Sequence, residues 1–481
     1  VQIILDFVSL IKYNGEKRDF IEKALKKFLL NPTKDFNIEK EIEKIFKAGP
    51  VPNKKDKPRD INNFFTPEEL FEMQDYILTI DIDPQDLVYY ITEKYSIYND
   101  SLKSEIGVTV SDIITFSTVL RAIYHFELGA QNYQFNPNIF SSLGEAYYPY
   151  ILQRPDKASE QVSKMASLLN KGALKLFLEK SKIIEDAKPL IDNLDLLLNL
   201  LSFGQEDLVK DNKLRFQDKP LLKLDDETYI IINEIHFLFG LQSRLDSLLN
   251  KYQWYRDNKG KIFEKIAYKI LSEINKNTGI EGTFYNTLFY DVNENRCELD
   301  GLINFKDFSW FIECKGRIPR TKSFKGNVDS VKEDIKQAII NAESQAIRAI
   351  KESEKVGKIG DIKINDQKGI LIVTEGTYPN LNSNPLNYFP KKDEKYPRYI
   401  ISLLTLMEIL RQRDIYYLKQ FLEWRCDPKM PLYCMSELDY WDYFTKMQDG
   451  LDKKEGYNMA IKNQNKIIYN GNRFNAPKYF K

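Results

Sequence analysis

Between Cys297 and Arg317 the chain reads CELDGLINFKDFSWFIECKGR. Asp300, Glu313 and Lys315 within it are the residue types that metal-assisted hydrolysis uses. Two carboxylates offer the hard oxygen ligands that magnesium or manganese prefers. An ammonium beside them can orient or deprotonate a water and offset charge on a phosphoryl oxygen. The stretch predicts two strands that turn at Lys306–Asp307. Strand side chains alternate between faces, so Glu298, Asp300 and Leu302 share one side and Phe311, Glu313 and Lys315 share another. That register sets Asp300 across from Glu313 and Glu298 across from Lys315. Facing carboxylates repel, and a divalent cation with a nearby lysine would relieve them. A solvated hairpin face with alternating charge explains Glu298 against Lys315. It leaves Asp300 against Glu313 unexplained.

These residues need elements to hold them. Residues 261–275 have apolar side chains at helical spacing (Phe263, Ile266, Ala267, Ile270, Ile274), with Glu264 at the edge of the stripe. Residues 284–290 predict a first strand ahead of the hairpin. Behind Lys315 comes the loop RIPRTKSFKG, where Arg317, Arg320, Lys322 and Lys325 follow with no acid among them. Such a loop could grip a phosphate backbone by charge with little sequence reading, although many charge runs are simply solvated. A long helix over 329–353 has a small-residue stripe suited to packing on a sheet. KGILIVTEG reads as an interior strand, and 399–401 as another.

Asp300 followed by Glu313-Cys314-Lys315, within this order of elements, resembles the PD-(D/E)XK nuclease superfamily. The resemblance implies a restriction-endonuclease-like αβββαβ core over 258–412 within an α+β or α/β chain. It further implies magnesium or manganese held by Asp300, Glu313 and the carbonyl of Cys314, with Lys315 as catalytic partner. Glu264 on the opening helix and Gln337, 22 residues past Lys315, would contribute to the site as they do in relatives. The implied activity is metal-dependent DNA cleavage by a restriction-type or anti-phage effector, activated through self-association or a partner protein. The alternatives are a non-catalytic scaffold that binds DNA or protein, and an RNA-cleaving toxin.

Composition narrows the field. With 70 basic and 70 acidic residues among 481, no global field draws the chain to nucleic acid, so binding must rest on local patches. The two histidines, His125 and His236, argue against histidine-based nucleases, zinc sites and most histidine-dependent hydrolases. No GxxxxGK[ST] stretch offers a nucleotide site. The four cysteines lack CxxC spacing and fit a reducing compartment. VQIILDFVSL has no basic lead, and no apolar run reaches the ~18 residues of a membrane span, so a cytoplasmic location is expected.

Residues 1–212 read as mainly helical, a recognition or assembly region. Residues 213–257 predict a hairpin turning at Asp225–Asp226 and a connecting helix, and 413–481 an aromatic-rich helical extension. Asp225 and Asp226 could be imagined as a metal pair, but aspartates favour turns.

Overall fold

A computed structural model describes residues 83–132, 177–211, 218–231, 234–277, 279–320, 323, 328–378, 382, 395–411, 415–426 and 437–448, with residues 23, 25–27 and 29–30 near the N-terminus. A helix that the sequence predicts over 66–78, the Pro- and Lys-rich connector before it (48–60) and a predicted small hairpin over 466–474 lie outside these, as do Lys322, Lys325 and Cys434. The chain divides into two compact units, residues 1–58, 87–251 and 461–481 in one, and 59–86 and 252–460 in the other. The boundary near Tyr252 differs from both 212 and 257, because the connecting helix belongs with the first unit.

The first unit begins with helices α1 (Pro84–Tyr95), α2 (Asn99–Ile106) and α3 (Val110–Asn132). Strand β1 (Phe177–Glu179), α4 (Lys180–Ala187), α5 (Leu194–Leu201), β2 (Ser202–Phe203) and α6 (Gln205–Asp211) follow. The unit closes with β3 (Leu221–Lys223), β4 (Thr228–Ile231) and α7 (Glu234–Leu249). Two short strands that the mainly helical reading of residues 1–212 did not include join the expected hairpin in a four-stranded sheet of order β1-β4-β3-β2. Strands β1 and β2 are too short to show a period of two in the sequence, and pairing with the β3–β4 hairpin completes them. Asp225 serves the turn, its carboxylate accepting the Glu227 N–H at 2.9 Å.

The second unit opens with α8 (Gln253–Leu271) and a short turn α9 (Glu273–Lys276). Strands β5 (Gly282–Val292), β6 (Asn295–Phe305) and β7 (Phe308–Lys315) form a meander. Helix α10 (Val328–Ile335) runs through a π-helical turn (Lys336–Ile340) into α11 (Asn341–Val356). After the small ribbon β8 (Lys358–Ile359) and β9 (Ile362–Lys363) come β10 (Gln367–Thr374) and β11 (Arg398–Ser402). Helices α12 (Leu403–Arg411), α13 (Leu418–Arg425) and α14 (Glu437–Gln448) complete the described part.

The five-stranded sheet has the order β11-β10-β7-β6-β5, with β10 parallel to β7 and to β11. Strand β7 is central and, apart from Lys315, buried throughout, in keeping with its mostly apolar sequence. On one face Leu302, Phe311, Ile370, Ile372 and Ile400 pack against Ala338, Ala342, Ala346 and Ile350 of the long helix. On the other, Ile303, Leu371, Tyr399 and Ile401 meet Ile274, Leu406 and Phe421. The aromatic C-terminal helices are thus part of this unit's core, with Phe421 and Trp441 wholly buried. The edge strand β5 is blunted by Asn275, whose amide donates to the Phe284 carbonyl at 2.9 Å while its oxygen takes the Phe284 N–H at 2.7 Å.

No single helix among the described residues is long and apolar enough to cross a membrane, although α1–α2 and the first part of α3 would pass as a pair bent by 97°.

Helix α8 closes on the end of β7 at Gly316, where an added Cβ would lie 3.0 Å from the Phe263 Cβ and 3.4 Å from the Gly260 Cα. Only glycine admits this approach, and it fixes how near Glu264 comes to Lys315. Gly316→Ala is expected to destabilise the protein by about 1–3 kcal/mol through overpacking, read as an earlier midpoint in urea unfolding.

Candidate functional site

The β6–β7 ladder runs from Asn304–Ser309 to Gly301–Ile312 and stops. This is the register the Lys306–Asp307 turn predicts, and it leaves Asp300 at the position across from Glu313. On its other side β6 pairs with β5 except at Thr287, the residue opposite Asp300. Thr287 has φ +51°, a conformation that costs a β-branched residue energy. Asp300 therefore sits where pairing lapses on both sides.

The lapse breaks the expected alternation. Leu299 and Leu302 pack in one cluster, and Cys297 packs against it too, although a regular strand would send Leu299 and Cys297 to the opposite face. Glu298 is left exposed and does not pair with Lys315. Instead the Lys315 ammonium donates to the Glu313 carboxylate at 2.7 Å and lies 3.9 Å from the Asp300 carboxylate.

One oxygen of Asp300 accepts the Cys314 N–H at 2.6 Å, taking the place of a backbone partner on β6. Within a strand residue the N–H and C=O point the same way, so the Cys314 carbonyl also looks toward Asp300. The Cys314 thiol is buried, and burial followed by the Asp300 and Glu313 charges holds it protonated. It is no ligand. Glu264 comes from α8 into electrostatic reach of Asp300 and Lys315.

Burial, then the charge of Asp300, pushes Glu264 up to about 7 and Glu313 up to about 8. Burial also raises Asp300, against the pull of Lys315 and the Cys314 N–H. For Lys315 burial works downward, but Glu313 and Asp300 outweigh it and the ammonium is held above its usual range. Three carboxyl groups thus share one ammonium.

Among the described residues no three carboxylate, imidazole or thiol groups converge tightly enough to enclose a metal alone. A magnesium-type ion does not ask for that, since it keeps several waters and takes one or two carboxylates. The donor set fits such an ion. Asp300 and Glu313 each keep one oxygen without a hydrogen bond from the described residues, the Cys314 carbonyl faces the same space, and three carboxyl groups stand against one ammonium.

The other expected residues divide. Gln337 lies in the π-helical turn and is used within its own helix, donating to Glu333 at 2.8 Å and accepting from Asn341 at 3.3 Å. The structure does not join it to the cluster. Arg320 is held as a clamp while its side chain stays half exposed. Its backbone and Nε bond the buried Asp334 at 2.8 and 2.7 Å, and Nη2 bonds the Ser330 carbonyl. Ser323 donates to the same carboxylate at 2.6 Å. On the other side the loop is tied by Gly376 N–H to the Arg317 carbonyl and Glu375 N–H to the Lys315 carbonyl. Between these anchors Arg317 is exposed, next to Lys315.

Nothing in residue type or spacing points to Thr287 or Asp334. Tyr268 stands one helical turn beyond Glu264, and that spacing was the available signal.

No family model and no curated protein matches the chain. Among solved structures, the crystal structure of protein VC1899 from Vibrio cholerae aligns with 65% of this chain and 57% of its own, at 15% identity and a TM-score of 0.19. The chain thus spans little more than half the length of that protein, and at this score no common fold follows.

The raised carboxyl groups hold protons that the unfolded chain releases above about pH 4.5. Folded-state stability is therefore undiminished below that pH and falls as pH rises through about 7 and 8. In chelator, the thermal midpoint should drop between pH 5 and 8, by less in Glu264→Gln. A midpoint flat across that range in both proteins would contradict the charge crowding.

Losing Asp334 would free the loop. Asp334→Ala removes three hydrogen bonds to Arg320 and Ser323, and should cost about 2–4 kcal/mol in chemical unfolding.

Proposed function

We propose that the chain is a divalent-metal-dependent nuclease of PD-(D/E)XK type that hydrolyses phosphodiester bonds in DNA. The observation that carries the reading is the gathering of Asp300, Glu313 and Lys315 at the ends of neighbouring strands, with Glu264 brought in from the preceding helix. The order α8, β5, β6, β7, α10–α11, β10 supports a restriction-endonuclease-like core.

Asp300, Glu313 and the Cys314 carbonyl would hold magnesium or manganese. When bound, such an ion lowers the pKa of a coordinated water and offsets charge on the phosphate. Lys315, kept protonated by its neighbours, donates from Nζ and stabilises charge on the phosphoryl oxygens. Glu264, poised near neutrality, accepts the proton of the attacking water at its carboxylate. Arg317 holds a neighbouring phosphate, and the clamp through Arg320 and Asp334 keeps it beside Lys315. Cutting both strands of a duplex calls for two such sites, so a homo-oligomer or an activating partner protein belongs to the reading.

Supercoiled plasmid incubated with protein and magnesium should be nicked or linearised, and Asp300→Ala and Lys315→Ala should be slower by about 100-fold or more. Wild type and variants equally inert on duplex DNA, single-stranded DNA and RNA would make the fold a non-catalytic scaffold. Cleavage confined to RNA would make it a ribonuclease.

A further inference from the structure

Tyr268 brings a hydroxyl to the cluster that none of the roles above uses. Its oxygen is sealed from solvent and lacks a hydrogen-bond partner of proper geometry among the described residues. Buried hydroxyls in that state are uncommon and cost stability. The neighbours of this phenol are the Asp300, Cys314 and Glu264 groups and the Thr287 hydroxyl. Its ring is set by packing on Phe284, centroids 6.4 Å apart. Phe284 in turn covers Gly301, where an added Cβ would come within 2.8 Å of the ring. Burial, followed by the Asp300 charge, keeps the phenol un-ionised, so it remains a hydrogen-bond donor.

We propose that Tyr268 is a positioning residue for Asp300, its hydroxyl donating to the carboxylate when Asp300 turns its free oxygen toward a divalent cation. The inference rests on the metal-binding reading of the cluster. The carboxylate is drawn to the Cys314 N–H and the Lys315 ammonium, and the phenol makes no hydrogen bond of proper geometry among the described residues. With the cation present the second bond fixes the carboxylate's direction, the part that outer groups play around metal ligands. Thr287, held at positive φ, keeps the backbone of β5 out of the space the phenol needs.

The experiment is calorimetric titration of manganese into wild type, Tyr268→Phe and Asp300→Ala, with thermal melts in chelator alongside. Wild type should take up manganese, Asp300→Ala should not, and Tyr268→Phe should bind about tenfold more weakly. Without metal, Tyr268→Phe should melt at or above the wild-type temperature, since its hydroxyl, though near that of Thr287, makes no hydrogen bond of proper geometry among the described residues. Equal manganese affinity in wild type and Tyr268→Phe overturns the positioning role alone. A lower midpoint for Tyr268→Phe in chelator also overturns it, because the hydroxyl would then have a structural partner. Wild type that takes up no manganese overturns the metal site itself and the role with it.

Discussion

Three carboxyl groups crowded round one ammonium, largely withdrawn from bulk water, is the constraint on which the second unit is built. At close range in a medium of low effective dielectric, like charges repel by several times what they would in water. Glu313 is almost wholly buried, and Asp300 and Lys315 are largely so. A cluster of this kind persists only where the surrounding structure holds it in place. Strand β7 supplies that hold, pinned by β10 along its whole length and by β6 up to the edge of the cluster.

The arrangement trades regular pairing for side-chain chemistry. Where β6 stops bonding to β7, the Asp300 carboxylate takes over a backbone N–H. That substitution fixes Asp300 and leaves the Cys314 carbonyl facing a gap in place of a neighbouring strand. On the other side of β6, Thr287 bends out of the ladder. Glycines at 301 and 316 then let Phe284 and α8 come close, bringing Glu264 and Tyr268 over the break.

Further from the cluster, buried ion pairs tie the layers together. Arg398 of β11 meets Glu343 of α11 at 3.1 Å, both nearly inaccessible. Arg425 of α13 bonds Glu437 of α14, which also accepts from Tyr399. Pairs like these add little net stability over apolar packing, but losing one partner leaves a buried charge unmatched. Asp334 plays the same part for the basic loop, fixing its path with Arg320 and leaving Arg317 at the free position.

Much of the second unit could be read from the chain. The apolar character of β7, the continuous apolar run of β10 and the small-residue stripe of the long helix are local signals. The Lys306–Asp307 turn set the register that aligns Asp300 with Glu313. The short strands of the first unit could not be read so, because two or three residues carry no period and exist through their partners. The partners of Arg320 and Gln337 could not be read so either. Spacing shows which residues are near in the chain, and whether a guanidinium is free depends on Asp334, 14 residues away. Sequence alone thus determined the chemical types at the cluster and the strands that deliver them. Tertiary structure decided which charges are spent on one another and which are left for a ligand, since burial and pairing are properties of the packed chain.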